Sequence, residues 1–170
     1  MIKLTHVKLF FLISFAILLE VVALPMALGQ YFEIDVLMIV LVFYVYYVRR
    51  ADVLWVAMII GFSKDLFTNG LFGVEVFGYG IAAIFLIWTS RKFDREVFFV
   101  ILGVTAAAAV LKLMVGLIFH LGELKQIAAI ITAMGKGLIG VMWTTIFSWP
   151  TIKLIQRLTL ERSQQLEFRF

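Results

Sequence analysis

Three charged residues lie where an apolar chain tolerates charge least. Glu20, Lys112 and Lys136 each sit well inside a long apolar run. An ionised side chain near the bilayer centre costs on the order of 3 kcal/mol or more, so it normally faces a bundle interior and finds a partner. At the helical rise, the three stand roughly 10–14 Å inward from the nearest ends of their runs. Depth alone therefore predicts a polar cluster in one half of a helix bundle. Glu20 would pair with Lys112 or Lys136, and Asp65 or Glu75 would serve the other lysine from the rim. The competing arrangement has each lysine snorkelling separately to the interface along its own stem. A cluster would fix helix register or line a ligand cavity.

Two further motifs carry polar groups at span ends. Gly61-Phe62-Ser63-Lys64-Asp65, followed by Gly70 and Gly73, combines a close-approach glycine with a carboxylate one turn later at the rim. Asp65 would either act there or simply be solvated at a tight hairpin. Glu33-Ile34-Asp35 opens the second apolar run, where carboxylates complement the unpaired N–H groups of a helix start. Small residues at Thr105–Ala109 and at Ala133, Gly137 and Gly140 suit close helix packing in lipid. The sequence has no cysteine, so disulfides, thiol catalysis and Cys-ligated metal are excluded. His6 and His120 lie near opposite ends of spans and cannot make a metal site by themselves. No Gly-rich phosphate loop, nucleophile–base pair or metal-ligand cluster is present, so no catalytic, cofactor or metal site is expected, and the chain is not read as an enzyme.

The elements that must position these groups are membrane spans. Hydrophobic residues make up 64% of the 170 residues, and the mean hydropathy is +1.07. Soluble domains are typically about 45–50% apolar, and one this small could not hide the excess. A spanning helix takes roughly 20 apolar residues, so about six spans use most of the chain. They are expected near 9–28, 32–48, 53–67, 72–89, 97–119 and 127–149, in a single polytopic domain over 1–155 with a short cytoplasmic tail at 156–170. The first run is long and interrupted by Glu20, and is read as an uncleaved span rather than a signal peptide. Thr68-Asn69-Gly70 is a turn signal, and Pro150 marks a kink or an exit. The fold class is an all-α integral membrane protein in one compact bundle.

Lysine and arginine set the orientation. With the amino terminus in the cytoplasm and six spans, the inside holds Lys3, Lys8, Arg49, Arg50, Arg91, Lys92, Arg95, Lys153, Arg157, Arg162 and Arg169. The outside holds only Lys64 and Lys125, and Lys112 and Lys136 fall within spans. The net charge of +4 thus fits topology, and no nucleic acid is implied. Trp88, Trp143, Trp149 and Tyr44, Tyr46 and Tyr47 lie toward span ends, as interfacial aromatics do.

The central block carries a family resemblance. Asp35 to Tyr44, Arg49-Arg50, Gly61-x-x-x-Asp65-Leu66, Gly70-Leu71-Phe72-Gly73 and Tyr79, with Trp149-Pro150, Leu154 and Arg157 near the end, resemble in order and spacing the MreD family of rod shape-determining proteins. The likeness is good over about 32–95 and rests on topology elsewhere. One departure is Ile34, which precedes Asp35 where the family pattern often has proline. The resemblance implies a non-catalytic inner-membrane scaffold of the elongation machinery (the elongasome), without cofactor. Its implied partners are the single-pass protein MreC and, indirectly, MreB filaments and the glycosyltransferase/transpeptidase pair that makes peptidoglycan. It also implies a fold similar to the substrate-binding subunits of energy-coupling-factor transporters. The alternative function is accordingly a vitamin-binding subunit of that kind, although Ala23-x-x-x-Ala27, with Pro25 inside it, matches the docking motif of such subunits poorly. A channel or transporter would need a polar pathway that the few intramembrane charges hardly make.

Overall fold

The structure, a computed structural model, describes residues 6–28, 34–48, 52–67, 71–93, 98–120 and 127–167. Glu33, Arg49, Arg50, Gly70, Lys125 and the Thr68-Asn69-Gly70 turn lie outside the described residues. Six helices follow one another. The first, α1, comprises His6–Leu18, a π-helical stretch Leu19–Ala23, and Leu24–Leu28. In the second, α2, Val36–Phe43 passes into π-helical Tyr44–Val48. Then come α3, Val53–Phe67; α4, Val74–Thr89; α5, Phe98–His120; and α6, Ile127–Glu167. Among the described residues there is no strand.

The apolar pattern explains the arrangement. A helix that is hydrophobic all round must be buried, and α2 is such a helix. Leu37 through Phe43 are essentially inaccessible, and burial continues through Tyr44, Val45 and Tyr46. It forms the core post of the bundle. The buried residues of α3 recur at Val53, Val56, Ala57, Ile60 and Gly61, those of α4 at Gly78, Tyr79, Ala82, Ala83 and Leu86. This three-and-four spacing draws one inward stripe along each helix. The outward faces are equally apolar, with Leu54, Trp55, Met58, Ile59 and Phe62 on α3 and Phe77, Ile81, Ile84 and Trp88 on α4. Apolar residues on both faces suit helices that exchange protein on one side for lipid on the other. Three helical segments, Leu9–Met26, Phe98–Phe119 and Ile130–Arg157, are long and apolar enough to cross a membrane. Val36–Val48 and Val74–Thr89 are shorter apolar helices.

Helices α3, α4, α5 and α6 pack successively, each against the next, while α2 touches α1, α3, α4, α5 and α6. The α3–α4 hairpin depends on glycine. A Cβ at Gly61 would stand 2.5 Å from Val76 Cα, so the two backbones approach more closely than any side chain permits. Gly73 precedes α4 at φ 99°, a left-handed conformation suited to glycine. At the other end of the bundle, the Phe98 and Trp149 rings meet edge to face at 5.0 Å, joining the start of α5 to α6. Nearby cations lie over aromatic faces, Lys92 over Trp88 at 4.0 Å and Lys153 over Trp149 at 4.8 Å. Such snorkelling pairs mark an interfacial belt.

Helix α6 does not stop at Pro150 but runs through it to Glu167. Its buried stripe is continuous across the proline, from Thr144 and Ser148 to Ile152 and Ile155. Packing on that stripe carries the helix past a residue that ends many helices in water, as neighbouring helices allow in membranes. Much of the segment expected as a tail is therefore helix.

Gly61→Ala should lower the stability of the detergent-solubilised protein by about 1–3 kcal/mol, as overpacking does. Gly80→Ala, whose Cβ would meet nothing within 4 Å, should be neutral. Thermal unfolding followed by helical circular dichroism checks this, and equal melting of the two variants would contradict the close approach.

Candidate functional site: an ionic cluster at the buried start of α2

Helix α2 begins inside the bundle, and its free N–H groups need acceptors. Three side chains meet this need. The Asp35 carboxylate caps its own helix, accepting from Met38 N at 2.9 Å. Glu20, in the π-helical stretch of α1, accepts from Leu37 N at 3.1 Å. The Thr144 hydroxyl of α6 accepts from Asp35 N at 2.9 Å. Two carboxylates thus converge on the positive end of one helix, the placement that its dipole favours.

The carboxylates are in turn held by cations. Lys112 of α5 donates to Asp35 Oδ2 at 2.5 Å and stands 2.8 Å from Glu75 Oε2 of α4. That second approach is an ion pair outside hydrogen-bond geometry, since the buried Glu75 oxygen accepts no hydrogen bond. Lys64 of α3 donates to Glu20 Oε1 and lies 3.6 Å from Asp35 Oδ2. Tyr79, fully buried on α4, donates to Asp35 Oδ1 at 2.5 Å, and its ring lies beneath the Lys112 ammonium at 4.2 Å. Every one of the six helices contributes a side chain. Three carboxylates face two ammonium groups, leaving one formal negative charge beside the positive end of α2.

Asp65 has a separate task. It is buried and accepts from Gly73 N at 3.0 Å, Glu75 N at 3.1 Å and Val76 N at 3.2 Å. It therefore caps α4 from the preceding helix and closes the hairpin that Gly61 allows. The Gly61-x-x-x-Asp65…Gly73 spacing reads as one device, with a close approach, an N–H acceptor and a left-handed turn.

The pairing expected from depth is corrected in its partners. Glu20 binds Lys64 rather than Lys112 or Lys136. Lys112 is served by Asp35 and Glu75, and Asp65 serves backbone N–H groups instead of a lysine. Lys136 is exposed on α6 and has no part in the cluster. Sequence reasoning placed Lys64 at the outer end of the third span, outside the cluster, and gave no role there to Tyr79 or Thr144. A signal for Lys64 did exist, because the inward stripe of α3 at residues 53, 56, 57, 60 and 61 continues by the same spacing to 64 and 65.

A family model described as rod shape-determining protein MreD matches residues 1–158. The chain belongs to the MreD family. It is a membrane protein with a role in rod shape determination, as MreD proteins have. No curated protein and no solved structure matches the chain, so the expected likeness to energy-coupling-factor subunits gains no support. The cluster lies wholly within the region that the MreD model covers.

Removing one partner of a buried ion pair costs about 3–5 kcal/mol, because the other charge is stranded. Lys112→Met should destabilise the protein by roughly that amount. Combining it with Asp35→Asn should cost distinctly less than the sum of the two single changes, as contacting residues do. A double-mutant cycle by unfolding in mixed micelles measures this, and strict additivity would show that the contact contributes nothing.

Proposed function

We infer that this chain is a non-catalytic scaffold of the cell-wall elongation complex, holding partner proteins together within the membrane. The observation that carries this is the closure of the polar interior. The acidic and basic groups that the six helices turn toward the start of α2 are bound to one another and to backbone N–H groups. Such a network locks helix register and presents a rigid body with apolar outer faces. Rigid faces suit recognition of other spans. The partner proposed is the single-pass protein MreC, with MreB filaments and the glycosyltransferase/transpeptidase pair acting through it.

The membrane proposed is the bacterial inner membrane, with both termini in the cytoplasm. Support comes from the clustering of Arg91, Lys92, Lys153 and Arg157 at the belt end, which the positive-inside rule assigns to the cytoplasmic face. A periplasmic reporter should be active after Gln30 and silent after Glu167; the opposite result would invert this orientation.

Depletion should leave the wall-synthesis enzymes present but mislocalised or inactive, and cells should round. The protein purified from membranes should bring MreC with it. Recovery without MreC, together with tight binding of a vitamin by the purified chain, would instead favour the capture-subunit function.

A further inference from the structure

Lys136 stands apart from the cluster. It occupies the span Ile130–Arg157 yet is exposed, and among the described residues it has no hydrogen bond or ion pair. Gly137 packs on the Leu113 side chain in the antiparallel α5–α6 pair, which places Lys136 within about one turn of Lys112 along the bundle. From Ile127 to the belt tryptophan Trp149 is about 33 Å at the helical rise, close to the hydrocarbon thickness. Lys136 is thus about 9 Å from Ile130, where the candidate span begins, and about 14 Å from Ile127, where α6 begins. A four-carbon stem is shorter than either distance, so snorkelling leaves the ammonium short of the surface.

We propose that the outward face of α6 around Lys136 docks a partner transmembrane helix carrying an acidic residue at matching depth. This rests on the scaffold function inferred above and gives it a surface. Gly135, Ile139, Met142 and Ile146 share the outward side of α6 with Lys136, and all are exposed. A Cβ at Gly135 would meet nothing within 4 Å, so another helix can approach there closely. A carboxylate on that helix neutralises the ammonium where water does not. A second copy of this chain fits less well. A two-fold contact through this face would oppose Lys136 to its own equivalent, and like charges repel strongly at low dielectric.

The test places a photoreactive residue at Ile139, on this face, and in a separate variant at Ile59, on the outward face of α3, in the full chain in its native membrane. Ile139 should capture a single-pass protein whose span contains Asp or Glu. Capture should fall about tenfold in Lys136→Met, the effect of losing one charge-assisted contact, and persist in Lys136→Arg. Lys136→Glu should abolish capture, and changing the partner's acid to lysine should restore it. That exchange decides the matter even if Lys136→Met fails to accumulate. Capture of a second copy, or capture indifferent to residue 136, overturns the proposal. If Ile59 captures a partner and Ile139 none, the α6 surface is wrong while the scaffold function stands. If neither position captures a protein, both fall.

Discussion

The start of α2 is half-buried within the bundle, and its first N–H groups are met there by protein side chains. A helix end in hydrocarbon with unpaired donors costs several kcal/mol per group. Much of the described interior answers this constraint. Glu20 and Asp35 supply carboxylate acceptors, and Thr144 supplies a hydroxyl. The carboxylates bring charge, charge in the interior requires counter-charge, and Lys64 and Lys112 provide it. Tyr79 adds a hydrogen bond to Asp35 and a ring face to Lys112. Each step follows from the one before.

The α3–α4 hairpin brings three of the cluster's side chains together. Gly61 lets the two backbones close, Asp65 caps the incoming helix, and Gly73 turns the chain. These three residues set the positions of Lys64 on one arm and of Glu75 and Tyr79 on the other. A loosened hairpin would therefore act on the cluster before it acted on the rest of the core. The belt at the opposite end, built by Trp88, Lys92, Trp149 and Lys153, holds the other ends of the spans at the interface.

Much of this fold was legible in the sequence, because hydrophobicity and span length are one-dimensional properties. Helix number and order, and an intramembrane cluster containing Glu20 and Lys112, follow from them. Partner choice did not follow, because depth along a helix says nothing about direction around it. Lys112 and Lys136 share a depth, but one points inward and the other outward. Lys64 was left out of the cluster for a different reason. Charges at a span end serve as boundary markers, which hides a lysine still on the buried stripe. Of the two roles read for Pro150, a kink or an exit, the exit fails, because Ile152 and Ile155 beyond it are buried and the helix continues. The contact of Thr144 with Asp35 spans 109 positions and has no local trace.

Ion pairs and helix caps tie all six helices of this MreD-family bundle to one another. They are organised around the carboxylates at the start of α2. Hydrogen–deuterium exchange of the peptide covering Asp35–Val48, in lipid nanodiscs, tests this most directly. Exchange in the native protein should be slow. Replacing Glu20 and Asp35 together by alanine should accelerate it about a hundredfold, matching a local loss of about 3 kcal/mol. Unchanged protection in the double variant would contradict the claim that these carboxylates hold α2, and with it the bundle, in place.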